Sequence, residues 1–115
     1  MTTLLILYMA SGALLIALAI PLMHNKIKPN NLYGFRVKAT LENPELWYAV
    51  NRYTARWLLA SGITLVIAAL FLFFVPGLTV DQYALLVLGV WLAVFVHGII
   101  QSMRFMSRLS NRDQV

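Results

Sequence analysis

The sequence predicts an all-α membrane protein: three transmembrane helices, with an amphipathic cytoplasmic helix leading into the second. Composition is the first observation behind this. The chain is 61% apolar and 11% charged, with a mean hydropathy of +0.77. A soluble domain has about half its residues apolar and about a quarter charged, so too few polar side chains remain to cover a water-soluble globule. Lipid removes that need, because it faces Leu, Ile, Val and Phe directly. The second observation is three apolar runs, Leu4–Met23, Trp57–Val75 and Tyr83–Ile100, none containing Asp, Glu, Lys or Arg. Each has about 18–20 residues, enough to cross a hydrocarbon core of roughly 30 Å. The third is where the charge sits. All nine Lys and Arg fall in two of the segments outside these runs.

The elements follow in order along a single membrane domain of 115 residues. The first run starts after Met1-Thr2-Thr3, which lacks the basic residues of a signal peptide, and no A-x-A-like site follows. It is expected to be a retained helix. Residues 24–56 form a polar loop carrying Lys26, Lys28, Arg36, Lys38, Arg52 and Arg56. Within it a helix is expected from Asn43 onward. Asn43 is a good N-cap, Pro44 suits the first helical position and Glu45 favours the first turn. Leu46, Trp47, Val50, Tyr53 and Trp57 then recur at helical spacing. Trp47, Tyr48, Tyr53 and Trp57 suit an aromatic belt at headgroup depth. The second run ends at Pro76-Gly77, a strong turn signal. The short Pro76–Gln82 link makes the second and third helices antiparallel neighbours. A tail, 101–115, carries Arg104, Arg108 and Arg112.

Orientation follows from the basic residues. Cytoplasmic loops hold the Lys/Arg excess, so the 24–56 loop and the tail are expected inside. The amino terminus and the Pro76–Gln82 turn, which has Asp81 and no cation, are expected outside. Cations at membrane edges meet anionic lipid, which argues against nucleic acid as a direct partner. There is no cysteine, so disulfides and thiolate metal sites are excluded. The echo of Ala10-Ser11-Gly12 in Ala60-Ser61-Gly62 is weak evidence for a repeat. It does supply small residues that let helix backbones approach closely.

The least generic stretch is Lys26–Asn51. It reads K-I-x-P-N-x-x-Y-G-F-R and then T-L-x-N-x-x-x-W-Y-x-x-N, through Lys26, Ile27, Pro29, Asn30, Tyr33, Gly34, Phe35, Arg36, Thr40, Leu41, Asn43, Trp47, Tyr48 and Asn51. This motif resembles that of the SdpI family of bacterial membrane proteins, and the three-span layout around it matches as well. The founding immunity protein has additional spans before this domain, so the chain is similar to the shorter members. The resemblance implies a place in the bacterial inner membrane and immunity to a secreted, membrane-active peptide toxin. It further implies signal reception, in which a cytoplasmic repressor protein is held at the membrane. Pro29, Asn30, Tyr33, Gly34, Arg36, Asn43, Trp47 and Asn51 are the expected contact residues for a partner or ligand.

The same residues have a plainer reading as a folded, lipid-anchored loop. On sequence alone Arg36 either pairs with Glu42 or Glu45 or clamps a lipid phosphate bidentately. Asn30, Asn43 and Asn51 would hydrogen-bond the loop against the helix. His97 is the ionisable group within a span, and such groups are functional candidates. A neutral imidazole hydrogen-bonded to a neighbouring helix accounts for it more simply, and His24 is placed where it would approach it. Two histidines without a carboxylate make a poor metal site, and neither metal nor cofactor is expected. Glu42, Glu45, Asp81 and Asp113 form no nucleophile–base constellation, so no enzymatic activity is expected. The alternatives to immunity are a small oligomeric transporter or lipid-handling protein, and a structural subunit of a membrane complex. Expected partners are membrane lipid, a peptide toxin and a repressor, with a homo-oligomer as a further option.

Overall fold

The computed structural model describes residues 1–30, 34–36 and 38–113, the side chains of 38, 39 and 110–113 excepted. Among the described residues four helices follow in order: α1 (Thr2–Met23), α2 (Lys38–Glu42), α3 (Pro44–Phe73) and α4 (Val80–Asp113). α1, α3 and α4 are long and apolar enough to cross a membrane. The molecule is correspondingly elongated, 57 × 23 × 19 Å.

α3 is the central element, and α1 and α4 both pack on it. At one end Leu65 and Ala69 of α3 bury with Tyr83 and Val87 of α4, covered by Leu4, Leu5 and Tyr8 of α1. At the other, Ala55 of α3 buries with Ala19 and Leu22 of α1. Both neighbours therefore run antiparallel to α3 and parallel to each other. The α1–α3 crossing falls where the two Ala-Ser-Gly triplets meet. A Cβ on Gly12 would lie 2.9 Å from the Gly62 carbonyl oxygen, and one on Gly62 would lie 2.9 Å from that of Gly12. Only glycine permits this approach, and in lipid close backbone packing is a main source of helix association.

The caps follow local chemistry. Asn43 Oδ1 accepts from the Leu46 N–H at 3.3 Å, with Pro44 behind it at the first helical position. At α4 the pairing is reciprocal: Gln82 N–H donates to Thr79 Oγ1 and Thr79 N–H to Gln82 Oε1, both at 3.1 Å. This is a capping box in its glutamine form. Between α3 and α4, Gly77 takes φ +85, the left-handed conformation that glycine adopts at least cost.

The helices depart from the sequence expectation in two ways, at α2 and at the end of α4, and they answer one point that it left open, the continuity of α3. α2 was not anticipated. The lead-in from Pro44 and the second span form one uninterrupted helix, and at 30 residues α3 is about 45 Å long, beyond the bilayer's hydrocarbon core. α4 runs past Ile100 to Asp113, where a tail was expected. The reason lies in its pattern: Ser102, Phe105 and Leu109 turn toward the protein while Met103, Arg104, Ser107 and Arg108 stay exposed. Phe105 stacks on Tyr53 of α3, with ring centroids 4.2 Å apart and 6° between planes. Elsewhere the flanks present Ile67, Phe71, Phe74 and Leu85 outward, as lipid requires.

Candidate functional site

The end of the bundle that carries the basic residues is built by the loop folding back on α3. Trp47 and Asn51 are one helical turn apart and share a face; both are buried, at 0% and 2% exposure. The Trp47 indole N–H donates to the Ile27 carbonyl at 2.8 Å, fixing the start of the loop. The Asn51 amide uses both ends. Its Nδ2 donates to the Trp47 carbonyl at 3.0 Å, and its Oδ1 accepts from the Phe35 N–H. The buried Thr40 hydroxyl of α2 donates to the Phe35 carbonyl at 2.9 Å. Phe35 is thus held through both of its backbone polar groups.

Gly34 makes that closure possible. It has φ +114, and a Cβ there would lie 2.9 Å from Asn51 Oδ1 and 3.1 Å from Trp47 Cη2. Both the conformation and the space call for glycine. Of the expected contact residues, Gly34, Trp47 and Asn51 come together in this cluster, and Asn43 caps the helix carrying two of them. Pro29 and Asn30 lie at the loop's entry, half-buried, with Asn30 Nδ2 donating to the Lys28 carbonyl at 2.7 Å. Tyr33 lies outside the described residues. Among the described members of the set, Arg36 is the exposed one. Trp47 does not join an aromatic belt as expected: its ring is sealed inside and its N–H is satisfied by protein. Arg52 also braces the loop, through Nη1 to Asn25 Oδ1 at 3.4 Å.

Beneath this loop lies a cavity of about 460 Å³. α1 and α4 meet toward the opposite end, where the Tyr8 hydroxyl donates to the Ala84 carbonyl at 3.0 Å. Toward the basic end a gap opens between them. Leu18 and Leu22 of α1, Trp57 and Leu58 of α3, and Phe95 and Ile99 of α4 line it, with Gly34, Phe35 and Arg36 at its rim. Thr54 lines it as well, with its Oγ1 buried and without a hydrogen-bond partner.

His97 is exposed and meets α3 through Trp57, edge to face with centroids 5.0 Å apart. The expected hydrogen bond to a neighbouring helix is replaced by this ring contact. Gly98 beside it lets the helices close, since a Cβ there would lie 2.7 Å from Trp57 Cβ. His24 closes α1 at its C-cap, exposed. Sequence reasoning missed Thr40 and Thr54 as site residues. Thr40 stood within the motif, but nothing in its spacing points to the Phe35 carbonyl. Thr54 carries no local signal, since nothing in the sequence marks which helical hydroxyl lacks a partner.

Three long apolar helices around a folded basic loop define a small multi-pass α-helical membrane protein. The SdpI/YfhL protein family matches residues 26–102, from the loop through α3 to the basic half of α4. That match covers well over half the chain, and the chain belongs to this family. Searches of the curated proteins and of the solved structures return no significant match.

Proposed function

We propose that this chain is an immunity-type protein of a bacterial inner membrane, protecting its cell by binding a secreted, membrane-active peptide toxin. The observation that carries this reading is the family match across residues 26–102, which contains the whole Lys26–Asn51 motif. The activity is read as binding, without chemistry on the ligand. The toxin would be met at the outer face or within the bilayer. The loop, with Lys26, Lys28, Arg36, Arg52 and Arg56 exposed, would offer a cationic surface to a cytoplasmic repressor. This places the loop and carboxyl terminus inside and the amino terminus outside, an arrangement supported by the confinement of all nine Lys and Arg to two segments.

The test is expression in a bacterium killed by a secreted toxin of the kind SdpI family members counter. The chain is expected to restore growth. Arg36→Gln is expected to abolish protection at unchanged membrane levels, because Arg36 is exposed and outside the buried cluster. Unchanged killing in the presence of the wild-type chain would reject the reading for that toxin.

A further inference from the structure

We infer that α4 carries a headgroup site just outside the bilayer core, where Arg104 and Arg108 grip the phosphate of one anionic phospholipid. The two arginines stand four residues apart and are neighbours on one face of the helix. Both are exposed, and among the described residues neither has a hydrogen bond or an ion pair. With Gln101, Met103 and Ser107 they line a shallow surface depression. Like charges at this spacing disfavour each other, and no Asp or Glu falls between Asp81 and Asp113 to offset them. An anion placed between them does so. Each guanidinium presents its N–H donors in a fork that matches a phosphate, and the Gln101 amide adds further donors beside them.

Depth selects a lipid as the occupant. The apolar run ends at Ile100. Arg104 stands about 6 Å further along the axis and Arg108 about 12 Å, while the headgroup layer adds about 5–8 Å to each side of the core. Helical side chains lean toward the N-terminus of their helix. α4 leaves the membrane by its C-terminal end, so Arg104 and Arg108 lean back toward the phosphates. α3 enters by its N-terminal end, so Arg52 and Arg56 lean away from them, and Arg52 is engaged by Asn25. Helix direction thus separates two pairs of exposed arginines at the same end of the bundle. The stack of Phe105 on Tyr53 fixes the rotation of α4 and keeps the arginine face outward. The same strip of α4 continues into the membrane as exposed Ile100, Val90 and Leu86, an apolar track for the acyl chains. The inference rests on the membrane-spanning fold and not on toxin immunity, so either can fail alone.

Native mass spectrometry of the full-length protein in detergent, titrated with phosphatidylglycerol and separately with phosphatidylcholine, tests it. One phosphatidylglycerol is expected to stay bound at collision energies that strip phosphatidylcholine. The double substitution Arg104→Gln/Arg108→Gln should weaken phosphatidylglycerol retention by about tenfold or more. Arg52→Gln/Arg56→Gln makes the same change in net charge and should cost no more than about twofold, as distant exposed charges do. All four arginines are exposed, so both variants should keep the helical circular dichroism of the wild type. Equal losses from the two double variants would show diffuse attraction to the basic end and overturn the assignment. Full retention by Arg104→Gln/Arg108→Gln would do the same. Glycerol phosphate added alone is expected not to bind. Binding as tight as that of the lipid would make this a site for soluble phosphates and contradict a lipid occupant.

Discussion

Asn51 illustrates how a single side chain joins sequence to fold. A buried primary amide is unfavourable unless its donors and acceptor find partners. Here the amide bonds its own helix on one side and the Phe35 N–H on the other. Asn51→Leu leaves that N–H facing an apolar group, a loss of about 1–3 kcal/mol. The detergent-solubilised variant should unfold at a clearly lower temperature than wild type, and by more than Trp47→Phe, which removes one hydrogen bond and keeps an aromatic ring. An unchanged midpoint for Asn51→Leu would deny the closure of the loop on α3. Part of this was legible: the motif marked Gly34, Trp47 and Asn51, and hydrogen bonding of Asn51 to the loop was among the readings open to it. Their partners were not legible. The contacts of Ile27 with Trp47 and of Phe35 with Asn51 span 20 and 16 residues, and no local periodicity encodes such distances.

Helices are where the sequence spoke most clearly, and also where polarity misled it. The spans are visible as uncharged apolar runs, and Asn43-Pro44 marks the start of α3 by cap chemistry alone. The Thr79–Gln82 capping box was equally readable, yet the apolar run drew attention to Tyr83 instead. Beyond Ile100 the arginines suggested a tail, although Ser102, Phe105 and Leu109 keep the spacing of one helical face. Phe105 holds that extension against α3, and an aromatic pair contributes about 0.5–1.5 kcal/mol beyond burial. Phe105→Ala should therefore loosen the end of α4. Limited trypsin digestion of the solubilised protein should cut at Arg104 and Arg108 several-fold faster than in wild type. Equal rates would show that the Tyr53 stack does not hold this end in place. The exact helix lengths escaped the sequence because hydropathy reports what lipid tolerates, not where a helix stops.

At the scale of the whole molecule, α1 and α4 pack on one core element, α3, and leave a gap between them. α3 packs along both sides, while α1 and α4 meet near Tyr8 and open a cavity under the loop. The polar end is where the motif, the cations and the cavity rim coincide, so its side of the membrane decides what they can reach. Under the proposed function, with the loop inside, a secreted toxin would meet the short turn and the spans, and a repressor would meet the loop. The absence of cysteine from the chain makes this directly measurable. Thr79→Cys and Arg52→Cys, each in the otherwise unaltered protein, are to be treated with a membrane-impermeant maleimide in intact spheroplasts and again after permeabilisation. The account predicts that Thr79→Cys labels in both conditions and Arg52→Cys only once the membrane is opened. Labelling of Arg52→Cys in intact spheroplasts at the rate of Thr79→Cys would contradict it.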